Sequence, residues 1–154
     1  MPLTDNRDTK ERAMPHATRH ERLAGSSDEF YCGQLVAIDV NATGSPVVPA
    51  AAGDLTLQVC GRCEERLTTG ANNTKTVKFK SGCFYYASGA TFEAIDADDI
   101  GKVCYVVDDQ TVGISGATGA NAKAGRVYDV DQYGVAVNIE WPTGINPGAT
   151  AGGQ

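Results

Sequence analysis

Cys60-Gly61-Arg62-Cys63 has the Cys-x-x-Cys spacing of redox and zinc sites, and with Cys83 and Cys104 it could bring four thiolates to one metal ion. No second Cys-x-x-Cys follows. On a regular strand Cys60 and Cys63 point to opposite faces, so a shared metal needs a bend or bulge at Gly61. Cysteine as a small buried hydrophobe is the simpler reading, and the odd total of five, with Cys32, favours reduced thiols. Asp129-Val130-Asp131-Gln132-Tyr133-Gly134 approaches a calcium loop, but Tyr133 stands in the third ligand slot and the flanks alternate as strands, so it reads as a hairpin turn. Asp96, Asp98 and Asp99 fail the same test at Ile100 and Val107, and capping of a helical turn by Asp96 accounts for them. His16 and His20 are the only histidines; they share a helical i, i+4 spacing without the glutamate that a zinc protease carries. Gly-x-Ser-x-Gly and Gly-x-x-x-x-Gly-Lys signatures are missing, so the expectation is a protein that is not an enzyme and uses no cofactor.

The elements around these residues read as short strands. Val135, Val137, Ile139 and Trp141 alternate with Ala136, Asn138 and Glu140, the period of a half-buried strand after the turn Asp131–Gly134. Val103–Val107, Asp108-Asp109-Gln110 and Thr111-Val112 spell a second hairpin. Strands are also expected at Gln34–Val40, Val47-Val48, Leu55–Glu64, Thr74–Lys80 and Cys83–Ala87, with a helical turn within Ala94–Ile100. The Gly113–Gly125 loop is low in complexity and is expected to be exposed and mobile.

At 154 residues the chain suits one domain. The predicted fold is all-β: a small antiparallel β-barrel or jelly-roll-like domain at 30–141, with an extended N-terminal arm at 1–29 and a flexible tail at 142–154. The formal charge of −6 disfavours a nucleic-acid groove, the sequence has no apolar run of membrane-spanning length, and no secretory signal is expected, since Met1–Asp8 holds no apolar stretch. Residues 1–23 carry five cations, Arg7, Lys10, Arg12, Arg19 and Arg22, against four carboxylates, whereas the rest carries eight against fifteen. Pro15 and the lack of an apolar stripe argue against a long helix there, leaving an arm with a helical turn around Ala17–Leu23. A polar arm of about twenty residues loses on the order of 20–40 kcal/mol of backbone entropy on ordering, so it is expected to order only against a partner.

An ordered set of segments carries a family resemblance. It comprises Leu3–Thr9, Gly33–Asp39, Val59–Glu65, Ser81–Ala87, Asp99–Asp109 and Gly125–Asp131. Together they resemble the tailed-phage head decoration, or capsid cement, proteins. The resemblance implies a virion protein made in the host cytoplasm. Such a protein binds the outer capsid surface and bridges neighbouring major capsid protein subunits, itself forming a homo-oligomer, a trimer or a dimer. On that reading Arg7, Lys10, Arg12, Arg19 and Arg22 are the candidate capsid contacts. The alternative is a small β-domain that binds a ligand, glycan or metal at a virion or cell surface, with Cys60 and Cys63, or Tyr85, Tyr86 and Tyr133, at its centre.

Overall fold

The computed structural model describes residues 1–141, and the tail expected at 142–154 lies outside the described residues. Twelve strands follow in chain order: β1 (Glu11–Arg12), β2 (Thr18–Leu23), β3 (Glu29–Phe30), β4 (Leu35–Asp39), β5 (Val47–Pro49), β6 (Leu57–Cys63), β7 (Leu67–Thr68), β8 (Thr76–Ser88), β9 (Val103–Asp108), β10 (Thr111–Gly113), β11 (Lys123–Asp131) and β12 (Gly134–Ile139). Single 3-10 turns cover Thr91–Glu93, Ala97–Asp99 and Gly116–Gly119. The all-β expectation is met, and the architecture is a closed barrel.

The ring runs β8, β12, β11, β9 and β10, and it closes because β10 returns beside β8. That closing pair is parallel, with Thr111 beside Ala87 and Val112 beside Ser88, while every other pair in the ring is antiparallel. Both expected hairpins are present as β9–β10 and β11–β12, the second turning at Asp131–Gly134. Phe84, Tyr86, Cys104, Val106, Val112, Val127, Val135, Val137 and Ile139 fill the interior. Burying each of the larger apolar side chains stabilises the barrel by roughly 1.5–3 kcal/mol. A one-residue slip of β12 would turn its three interior side chains outward.

A second sheet, β2-β8-β6-β4-β5, shares β8 with the barrel. Thr76–Ser81 pair with β2 and Gly82–Tyr86 with β12, so the two strands expected at 74–80 and 83–87 are one strand of 13 residues. Val36, Ile38, Val47, Cys60, Cys63, Val77 and Phe79, with Phe30, form a second apolar cluster. Trp141, expected on the face of Val135 to Ile139, lies beyond the end of β12 and packs against this second cluster.

The N-terminal arm departs most from expectation. Thr18–Leu23 is a strand rather than a helical turn, pairing with β8 from Thr18–Ser81 to Leu23–Thr76. β1 pairs with β8 as well, Glu11 opposite Phe84 and Arg12 opposite Cys83. Between them the arm crosses β8 at its bend, where a Cβ on Gly82 would lie 3.2 Å from the Cβ of Ala17. Further back, the Leu3 N–H donates to Asp109 Oδ1 (2.7 Å), and the Arg7 N–H donates to the Cys32 carbonyl (2.8 Å). At the same place Gly33 is held at φ +91°, with the Arg7 carbonyl oxygen 2.0 Å from where a Cβ would be, so only glycine admits the arm. Backbone pairing therefore offsets the ordering entropy within the chain itself, and the arm does not wait for a partner.

Two smaller corrections follow from this packing. Ala136 was expected to face solvent, yet it is buried with Cys83 and Tyr85 under Met14, so the arm covers the outer face of β12. The loop 113–125 is anchored rather than loose: Ala122 is buried, and Asn121 Oδ1 accepts the Gly53 N–H at 2.7 Å.

Candidate interaction surface

Four of the five arm cations have partners within the molecule. Arg7 Nη1 donates to Thr9 Oγ1 (2.6 Å) and to the Tyr85 carbonyl (2.9 Å). Arg12 Nη1 donates to Asp129 Oδ2 (2.7 Å) and to the Tyr85 hydroxyl (3.3 Å), with its guanidinium 4.9 Å from the Tyr128 ring centroid. Arg22 reaches the Ser45 carbonyl at 3.4 Å and lies over Trp141 at 5.7 Å. Lys10 and Arg19 are exposed. Lys10 makes a 3.4 Å contact with Asp8 and stands 5.8 Å from the Tyr133 ring centroid, while Arg19 sits beside Lys80 on β2. The sequence did not single out Arg62, which lies over Phe84 at 4.4 Å. It donates to Glu64 Oε2 (2.7 Å) and to the Thr9 carbonyl (2.8 Å), tying β6 to the arm.

Arg12 belongs to a built surface. The Tyr85 hydroxyl donates to Asp131 Oδ2 at 2.8 Å, and burial together with that hydrogen bond pushes the phenol pKa up, keeping it a donor. Asp131 Oδ1 accepts the Tyr133 N–H (2.8 Å), which fixes the hairpin turn. Tyr133 packs edge-on against Tyr85 at 5.7 Å. Tyr128 and Tyr133 nevertheless remain 44% and 52% exposed, so two aromatic rings are presented beside Lys10 and the Arg12–Asp129 pair. Rigid, half-exposed tyrosines among charged groups suit a protein interface or a glycan. Of the aromatic candidates, Tyr86 belongs to the barrel interior instead.

The cysteines come together only in part. The register of β4 against β6 shifts between Val36 and Ala37, so β6 bulges opposite that step. Gly61 adopts φ +155°, with the Lys80 carbonyl oxygen 2.0 Å from a would-be Cβ. That bulge places Cys60 and Cys63 in one apolar cluster, while Cys83 and Cys104 lie in two others. Burial pushes Cys63 and Cys104 up to about 12 and Cys83 to about 11, and Cys60 shifts well upward for the same reason. Such thiols remain protonated and unreactive at neutral pH. Among the described residues no group of three His, Cys, Asp or Glu side chains could hold a metal ion.

Asp96, Asp99 and His20 have structural partners, whereas the Nε2 of His16 is buried without one among the described residues. Asp96 and Asp99 form a reciprocal capping box around the turn Ala97–Asp99, as the capping reading expected for Asp96. His20 stacks on Phe79 (5.1 Å) and meets Trp141 edge-on (5.0 Å), with Nε2 3.2 Å from Ser81 Oγ. Desolvation there lowers its pKa.

Fold and surface together define a strapped, closed β-barrel with a preformed aromatic and charged face. No family model, curated protein or solved structure matches the chain.

Proposed function

We propose that this chain is a phage capsid decoration protein, docking on the outer face of an assembled head and stabilising it by bridging neighbouring major capsid protein subunits. The strapped arm carries the reading. Because β1 and β2 are already paired to β8, the Lys10, Tyr128 and Tyr133 face is rigid before binding, and little conformational entropy is lost on docking. Of the five cations proposed as capsid contacts, Lys10 and Arg19 have charge to offer capsid carboxylates, whereas Arg7, Arg12 and Arg22 hold the arm in place. A symmetric dimer or trimer would engage several subunits at once, making later contacts effectively intramolecular.

Co-sedimentation with mature, undecorated capsids of the same phage tests this. Saturable binding at a fixed ratio to the major capsid protein, with increased resistance of the shell to heat, is the expected result. A Lys10→Glu/Arg19→Glu variant should bind roughly tenfold more weakly and with a shallower salt dependence. Failure of the wild-type protein to bind at any concentration overturns the proposal. Exposed Tyr128 and Tyr133 beside Asp129 and Asp131 favour glycan recognition as a second reading, and a glycan array separates the two.

A further inference from the structure

Phe92 is the feature that neither the hairpins nor the arm explains. Its side chain is 88% exposed, on a 3-10 turn in the segment between β8 and β9. The turn itself is firmly held. The Gly89 N–H donates to the Val112 carbonyl (2.8 Å), the Ile114 N–H to the Glu93 carbonyl (3.2 Å), and the Ile95 N–H to Ser88 Oγ (2.9 Å). Ile95 is buried in the barrel core, and Glu93 packs inward over Gly113. Thr91, the residue before Phe92, has φ +51°, a left-handed conformation that a β-branched side chain rarely adopts. The chain thus holds a strained turn on a rigid base, with an aromatic ring aimed into solvent, and strain of this kind clusters at active sites, ligand clamps and switch segments.

The surroundings indicate what that ring would meet. From Ser88 to Lys102 the segment carries Glu93, Asp96, Asp98 and Asp99 against the single cation Lys102, which pairs with Asp99 at 2.9 Å. Asp96 and Asp98 remain exposed. The segment leaves β8 at Ser88, two residues beyond Tyr86, which pairs with Val135 next to the β11–β12 turn. It therefore emerges at the end of the barrel that also carries Tyr133 and Lys10.

We infer that Phe92 is the anchor of the docking surface, inserting into an apolar pocket of the major capsid protein rimmed by lysine or arginine side chains that pair with Asp96 and Asp98. The inference rests on the decoration reading and names its central contact. A desolvated aromatic within a charged ring is the arrangement in which one side chain dominates an interface.

The test compares wild type, Phe92→Ala and Phe92→Trp in capsid co-sedimentation, with thermal melting and sedimentation velocity of each free protein. Phe92→Ala should melt like wild type, because the side chain is exposed, and should bind shells at least about tenfold more weakly. Phe92→Trp should bind, and its emission, after subtraction of the wild-type signal, should shift to the blue on adding shells. Wild-type saturation with undiminished Phe92→Ala binding overturns this inference and leaves the decoration reading standing. Loss of self-association in Phe92→Ala, with shell binding intact, would assign the ring to a second copy of this chain and likewise overturn it. Absence of wild-type binding removes both.

Discussion

Cys60 and Cys63 show how a single glycine decides what a motif becomes. Without the bulge at Gly61 the two thiols would point apart; with it they share an apolar cluster that also contains Phe30 and Phe79. Cys32 alone of the five cysteines is partly exposed. A thiol reagent should therefore titrate one group per native chain at neutral pH and the remaining four only after denaturation; rapid native labelling of more than one would contradict the packing described. The Cys-x-x-Cys spacing was legible in the sequence, and so was the dependence on Gly61. Phe92 was not, because a lone aromatic in a stretch of Ala, Gly and Asp breaks no periodicity and announces only that it has nowhere local to pack. Arg62 was hidden for another reason: its partners Thr9, Glu11 and Phe84 are remote in sequence.

Among the elements, the barrel hairpins were the most readable, since Val103 to Val107 is a β-rich run, Val135 to Ile139 alternates with Ala136 and Asn138, and both turns carry Asp. β2 was opaque because the side chains facing β8's apolar neighbours are His20 and Arg22, whose apolar bodies pack while their polar ends are accommodated at the edge. β8 read as two strands because Ser81-Gly82 looks like punctuation, whereas Gly82 here lets one strand bend between two sheets. The arm's position changes what its removal should do. Deleting residues 2–23 strips β1 and β2 from β8 and exposes the unpaired Tyr85 N–H that Lys10 accepts at 3.0 Å. The truncated chain should aggregate or unfold at markedly lower denaturant than the full chain, as read by circular dichroism, because open strand edges template association. A truncation as stable as the full chain would contradict this account of the strap.

At the scale of the whole molecule, His20 gives stability a pH dependence. Its folded pKa lies below the ordinary value of 6.5, so the unfolded chain binds the proton more readily. Protonation also meets Arg22 over Trp141, and Arg19 and Lys78 in the groove beside it, with Glu21 and Glu64 opposing them. Its stabilising contribution is complete at neutral pH and is lost as the pH falls through and below about 6.5. The melting temperature of wild type should drop between about pH 7.5 and 5.5 more steeply than that of His20→Phe, and parallel curves would show that the imidazole is not the titrating group. The strap also imposes an order of events. β1 is made long before β8 and lies 73 residues from the Tyr85 hydroxyl and 117 from the Asp129 carboxylate that Arg12 binds. During vectorial synthesis the first two strands must therefore remain unpaired until most of the chain has emerged. The native topology is completed by threading its beginning onto its middle, a late, long-range closure of the kind that sets folding times in milliseconds to seconds rather than microseconds.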